Sequence, residues 1–154
     1  MNRLHAEAFQ HPLTDHDWWS QVSRWSLGWV VAQGENELVG FVNVAWDGAE
    51  HAIILDTMTA AHRRHQGIGR EMVAVAASNA AEAGCQWLHV DCEQSLWPFY
   101  RDACGFNATS GGLLTLRHSL TALGARGRGR YSRLQNVSTT GENARGRKRR
   151  TEDD

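Results

Sequence analysis

The chain reads as an α/β protein on a mixed sheet, and its middle third says so. An apolar run, Ala52-Ile53-Ile54-Leu55, continuing to about Thr59, has the composition of a buried strand. A basic turn containing two glycines, Arg64-His65-Gln66-Gly67-Ile68-Gly69, follows it. An alanine-rich segment, Arg70 to Ala83, comes next, with Met72, Val73, Ala76, Ala77 and Ala80 at helical spacing and Gly84 as its stop. Trp87-Leu88-His89-Val90 then returns as a second apolar strand. Joined to the first through one helix, it is expected to lie parallel to it by the right-handed crossover rule.

The elements on either side follow in order. Leu4, Ala8 and Phe9 suggest a short first helix closed before Pro12. Thr14 is the expected N-cap of a second helix, Asp15 to about Trp25, with Asp15 and Asp17 favourably placed against the helix dipole. Trp18, Val22 and Trp25 share one of its faces. Trp29-Val30-Val31-Ala32 and Leu38 to Trp46 read as strands around a Gly34-Glu35-Asn36 turn, and Asp47-Gly48 turns the chain into the strand at 52–59. Past the second parallel strand, Ser95 is the expected cap of a helix bearing Tyr100, with Pro98 tolerable in its first turn. Asn107 to His118, broken at Gly111-Gly112, reads as a closing hairpin. The sheet is thus expected to be antiparallel at both ends with a parallel pair in the middle.

Composition bounds the function. The 154 residues are 42% apolar and 21% charged, values of a soluble globular protein with one folded domain. No apolar run reaches the length of a membrane span, and His5 and Glu7 interrupt any signal-like start. Cys85, Cys92 and Cys104 are an odd set without metal-ligand spacing, which points to reduced thiols, a cytoplasmic location and no metal. Charge is uneven. Residues 1–118 carry 7 Arg against 13 Asp and Glu, a balance of −6, whereas residues 119–154 carry 9 Arg and Lys against 4 Asp and Glu, a balance of +5. That second stretch has no periodic apolar face and reads as a disordered basic tail.

The glycine turn carries the chemistry. The first amides of a helix lack intrahelical partners and sit at the positive end of its dipole, so they favour an anion. Gly67 and Gly69 let backbone approach that anion closely, and Arg63, Arg64 and Arg70 add charge. A phosphate or pyrophosphate is the implied ligand. No Gly-Lys-[Ser/Thr] follows, which excludes a Walker loop, and a single Gly-x-Gly excludes the dinucleotide fingerprint.

Arg-x-x-Gly-x-Gly after a strand and opening a helix resembles the acyl-CoA pyrophosphate loop of the GNAT superfamily of N-acyltransferases. Ser95-Leu96-Trp97-Pro98-Phe99-Tyr100-Arg101-Asp102-Ala103-Cys104-Gly105-Phe106 resembles the family's second signature, a helix bearing a Tyr and ending in Gly-Phe. The resemblance spans about Leu4 to Arg117, so residues 1–118 are expected to be the acyltransferase domain and 119–154 its tail. It implies acetyl-CoA as acyl-donor co-substrate. Backbone around Met58 and Thr59 would pair with pantetheine, and Arg64, Gln66, Gly67, Ile68, Gly69 and Arg70 would hold the pyrophosphate. It further implies direct transfer, in a ternary complex, to a primary amine on a small molecule or peptide, and it admits a homodimer.

Tyr100 is the expected acid for the departing thiolate, because a phenol is protonated at neutral pH; the plain alternative is a packing tyrosine. The acidic residue that some relatives carry on the first parallel strand would fall on Ile53, so the base must lie elsewhere. Among Asp56, His89, Asp91 and Glu93, Asp91 is the choice, since ligands meet parallel sheets at the C-terminal ends of strands. Trp18, Trp19, Trp25, Trp29 and Trp46 concentrate on the acceptor half, where cation–π contact with an amine competes with simple core packing. Two departures stand out. No counterpart of the family's first strand precedes the first helix, and Tyr100 stands one residue further from Gly105 than usual, so that Arg101 competes for its place. The alternative function is a non-catalytic acyl-CoA-binding or regulatory module whose basic tail contacts nucleic acid.

Overall fold

A computed structural model describes residues 1–114. Its compact unit runs from Met1 to Thr109; the boundary expected at 118, the second half of the closing hairpin and the basic tail lie outside the described residues.

The chain opens with α1 (Asn2–Phe9), which buries Leu4 and ends on Gln10 in the left-handed conformation. Next comes α2 (Trp18–Trp25), shorter than expected. Its cap is Asp17 rather than Thr14. The Asp17 carboxylate accepts from both the Ser20 amide at 3.0 Å and the Ser20 hydroxyl at 2.6 Å, so a charged acceptor with two donors displaces a lone hydroxyl three residues upstream. Those bonds, the hydroxyl first, hold its carboxyl below the usual carboxylate range. Asp17→Ala is expected to lower the thermal midpoint by about 3 °C. The folded-state pKa is depressed, so that deficit is full above pH about 4 and disappears as the pH falls through the lowered value; unfolding scans of both proteins across that range check it.

The sheet holds β1 (Ser26–Gln33), β2 (Leu38–Trp46), β3 (His51–Thr59) and β4 (Trp87–Val90), in that spatial order. β1–β2 and β2–β3 are antiparallel, and β3–β4 is parallel through α3 (Ile68–Glu82), as the crossover rule required. The first hairpin closes with the Gly34 amide on the Glu37 carbonyl at 2.8 Å. The second closes on the Asp47 carboxylate, which accepts the Ala49 amide at 2.8 Å and the His51 amide at 3.2 Å.

One irregularity matters. Phe41 pairs with Met58 but Asn43 pairs with Leu55, so Asp56 and Thr57 together oppose Val42. This is a β-bulge, with Asp56 at φ 53°. It reverses the sides on which later residues fall. Ala52 and Ile54 pack with Val42, Val44, Met72, Val73 and Ala76 beneath α3, whereas Met58 joins Leu4, Val22, Val39 and Phe41 beneath α1 and α2.

Three expectations need correction. Ser95 caps nothing: Gln94–Leu96 is a 3-10 turn that runs on into helical residues, and the turn Phe99–Ala103 has no side-chain cap. Residues 107–114 form no strand, so the described part of the closing hairpin is absent and the parallel pair sits at the sheet's described edge. Nor do the tryptophans fill the core. Trp19 and Trp25 are 68% and 63% exposed, Trp29 and Trp46 are 39% exposed, and Trp18 alone of the five is half-buried. Three of the five ride on α2, where Val22 is the buried residue, and Trp19 meets Trp29 edge-on at 5.6 Å near the surface.

Candidate active site

β3 and β4 stay paired only from His51↔Trp87 to Ile54↔Val90. β4 ends there, while β3 runs on through the bulge to Thr59. The backbone of residues 55–59 therefore loses its β4 neighbour, which leaves an opening at the C-terminal end of the parallel pair. Met58 is fully buried by its side chain, and Thr59 offers its carbonyl to Arg64 Nε at 3.3 Å.

Beyond that opening the chain makes a 3-10 turn, Ala61–Arg63, and enters α3 through Gly67. Gly67 is the N-cap, at φ 84°, and no side chain caps the helix. The first helical bond runs from the Glu71 amide to the Gly67 carbonyl at 3.0 Å, so the amides of Ile68, Gly69 and Arg70 lie ahead of the intrahelical ladder. A Cβ at Gly67 would meet nothing within 4 Å, whereas one at Gly69 would face the Phe99 ring at 3.4 Å and the Thr59 hydroxyl at 3.5 Å. Gly67 thus fits the expectation of open, closely approachable backbone. Gly69 instead allows α3 to pack against the Phe99 turn. Arg70 fastens the same contact, donating from Nε to the Ala103 carbonyl at 3.1 Å, and Gln66 donates to the His62 carbonyl at 3.3 Å.

Tyr100 sits in the main core at 5% exposure, with its ring edge-on to Phe99 and Phe106 at centroid distances of 4.9 and 5.7 Å. Burial pushes its phenol pKa up, against a smaller opposing pull from the Thr57 hydroxyl; Cys92 and Cys104 are its other charged-form neighbours. Thr57 belongs to the bulge of β3 and Cys92 follows β4, so the phenol lies between the diverging strands. The Thr57 hydroxyl is itself buried and makes no hydrogen bond of normal geometry among the described residues.

The extra residue before Gly105 is absorbed locally. Phe99–Ala103 is a π-helical turn, closed by the Cys104 amide on the Phe99 carbonyl at 3.2 Å, and the Phe106 amide returns to the Tyr100 carbonyl at 3.0 Å. Tyr100 and Gly105-Phe106 are both anchored. Arg101 points outward and pairs with Asp102 at 2.6 Å.

The base candidates scatter. Asp91 is exposed just past β4, and Glu93 is exposed at the start of the 3-10 turn. His89 lies within the paired part of β4 and stacks on His51, ring centroids 5.1 Å apart. Asp56, re-aimed by the bulge, faces His5 of α1 at 3.7 Å. Sequence reasoning missed both the bulge and His5; the only signal was Asp56 itself, a charge inside an apolar strand. Among the described residues no cluster of His, Cys, Asp and Glu could hold a metal ion, and no helix is long and apolar enough to cross a membrane.

Comparison with known proteins agrees with this geometry. No curated protein matches the chain. A protein of Deinococcus radiodurans R1, provisionally assigned as an acetyltransferase, is similar at 25% identity and a TM-score of 0.55, over 64% of this chain and 66% of that one. The chain therefore spans just under two thirds of that protein's length. A GNAT family acetyltransferase of Streptococcus pneumoniae TIGR4 shares the fold at 22% identity and a TM-score of 0.60, over 75% of this chain and 89% of that one. So does AAC(6')-Iy, solved with the bisubstrate analog CoA-S-monomethyl-acetylneamine, at 15% identity and a TM-score of 0.53, over 62% and 73% of the two chains. The model of the acetyltransferase (GNAT) family matches residues 1–106, which take in the diverging strands, the glycine turn and the Tyr100 turn, and the chain belongs to that family.

Proposed function

We propose that the chain transfers an acetyl group from acetyl-CoA to a primary amine on a small molecule or peptide, both reactants being bound together. One observation carries the reading: an uncapped helix N-terminus, with open backbone at Gly67, stands at the end of a strand that has just parted from its parallel neighbour. The two halves of an acyl-CoA have matching needs, a pyrophosphate for the helix amides and a pantetheine amide chain for a free strand edge.

In this reading the amides of Gln66 to Arg70 hold the pyrophosphate, with Arg64 beside them. Arg64 already bridges to Thr59, which ties the phosphate site to the strand end. Backbone at Met58 and Thr59 pairs with pantetheine and polarises the thioester carbonyl. Tyr100 keeps its proton at neutral pH and gives it to the departing sulfur. Asp91, the acid that the sequence offers as base, is exposed at the end of β4 beside the opening. Much of the rate comes from placing two reactants in one site. The free Cys85, Cys92 and Cys104 fit a reducing, cytoplasmic compartment.

The test is a panel of primary amines with acetyl-CoA, following free thiol, on the full chain and on a chain ending at His118. Thiol release is expected with both, since every residue given a role in this reading lies before residue 107. Acetyl-CoA binding without turnover on any amine, together with salt-sensitive nucleic-acid binding lost on truncation, would instead favour the regulatory module.

A further inference from the structure

A cavity of about 260 Å³ opens beside the bulge of β3, walled by His5, His11, His16, Trp18, Gln21 and Asp56. Its hydrogen bonds fix which nitrogens carry protons. His11 Nδ1 lies 2.7 Å from the Pro12 carbonyl, which can only accept, so Nδ1 carries hydrogen. In neutral His11 the other nitrogen, Nε2, is then bare. It lies 2.6 Å from His5 Nδ1, which must donate to it. That leaves His5 Nε2 facing the Asp56 carboxylate at 3.7 Å, beyond hydrogen-bond reach.

Neutral His5 therefore presents a lone pair to a carboxylate, two acceptors with no proton between them. Burial favours this neutral form, pushing the His5 pKa below its ordinary value against the opposing pull of Asp56. The charged and titratable groups that face His5 are Asp56 from β3 and His11 and His16 from the segment between α1 and α2. A group with several N–H donors and a positive charge completes such a pair. Trp18, whose ring centroid lies 4.8 Å from that of His5, supplies an aromatic wall suited to the same cation.

Position gives the pair its meaning. Asp56 immediately precedes Thr57, whose hydroxyl neighbours Tyr100. The bulge thus aims Asp56 toward α1 and Thr57 toward the Tyr100 turn, at the stretch of β3 that has left β4. We propose that this cavity receives the acceptor as a primary ammonium held between His5 Nε2 and the Asp56 carboxylate, and that His5, oriented by His11, takes its proton. The inference rests on the acetyl-transfer reading and names its acceptor site. One ammonium proton moves to His5 Nε2, and the freed lone pair forms the C–N bond as the C–S bond breaks. The second proton lost from nitrogen restores the phenol of Tyr100 after Tyr100 has protonated the sulfur, and His5 Nε2 releases its own proton to water in the open cavity.

Histidine-ring NMR on the full chain, without acetyl-CoA, tests this with phenethylammonium chloride as probe and 2-phenylethanol as its uncharged control. At pH 7 His5 is expected as the neutral Nδ1–H tautomer. The ammonium probe should shift the His5 and His11 signals saturably, and the alcohol should not. Asp56→Asn keeps a residue that tolerates the left-handed backbone, and it should weaken the response at least about tenfold. In turnover, His5→Gln should lower kcat/KM for phenethylamine about a hundredfold and remove the acidic limb of the pH profile, which lies below about pH 6.5 because the base must be neutral. Rings that ignore the ammonium, an imidazolium already paired with Asp56 at pH 7, or an acidic limb removed by Asp91→Asn but not by His5→Gln would each overturn the proposal. Failure of the parent to bind acetyl-CoA by calorimetry would strike the acetyl-transfer reading instead, because the ring response is measured without it.

Discussion

Gly67→Asp is expected to abolish most acetyl-CoA binding while the fold stays intact. The new side chain projects into open space, so nothing in the protein must move to admit it. The φ of 84° is strained for most residues, but aspartate is among those that tolerate it best. The loss comes from charge. A carboxylate about 4 Å from a pyrophosphate repels each of its negative charges by about 1 kcal/mol even at the dielectric of water, and by several-fold more in a partly enclosed site. Two such charges weaken binding at least about thirtyfold. Gly67→Ala separates the causes, since it carries at least as much backbone strain without the charge. Calorimetry should find it close to the parent in affinity and somewhat less stable to heat. Equal, undiminished affinity in both variants would remove the pyrophosphate from this turn.

How far the sequence could be read follows from which features are local. The strand, turn and helix from Ala52 to Gly84 were legible because apolar spacing and glycine placement fall within a few residues of one another. The parallel pairing of β3 and β4 followed from a handedness rule. The bulge was not legible, because Leu55-Asp56-Thr57-Met58 reads equally well as ordinary alternation. The His5–Asp56 pair was hidden for a different reason: only the packing of α1 on the sheet brings residues so distant in the chain together. The surplus residue after Tyr100 left the sequence with two readings. A π turn keeps Tyr100 inward while the Phe106 amide bonds back to its carbonyl, which favours the first reading. With the tryptophans, composition suggested burial, but the helix that carries three of them buries Val22 instead.

Tyr100→Phe is expected to slow turnover by about a hundredfold or more and to leave acetyl-CoA affinity nearly unchanged. The hydroxyl is assigned to a proton transfer that occurs only as the thioester breaks, so its removal acts on the transition state rather than on the bound ground state. The ring keeps its edge-on contacts with Phe99 and Phe106, and the core retains its volume. Among the described residues the Thr57 hydroxyl makes no normal hydrogen bond even with the tyrosine present, so the substitution breaks none there. The pH profile adds a second check. Burial raises the phenol pKa above its ordinary value of about 10, so the parent should hold its activity on the alkaline side until the pH passes that point. Because the neutral phenol is the form the fold favours, parent stability should also decline there, and Tyr100→Phe should not share that decline. Arg101→Ala is the companion measurement. Arg101 is exposed and, among the described residues, pairs with its neighbour Asp102, so its removal should leave both rate and affinity at parental values. A dead Arg101→Ala beside a fully active Tyr100→Phe would transfer the role to residue 101. Two fully active variants would mean that water protonates the sulfur and that Tyr100 serves the core alone.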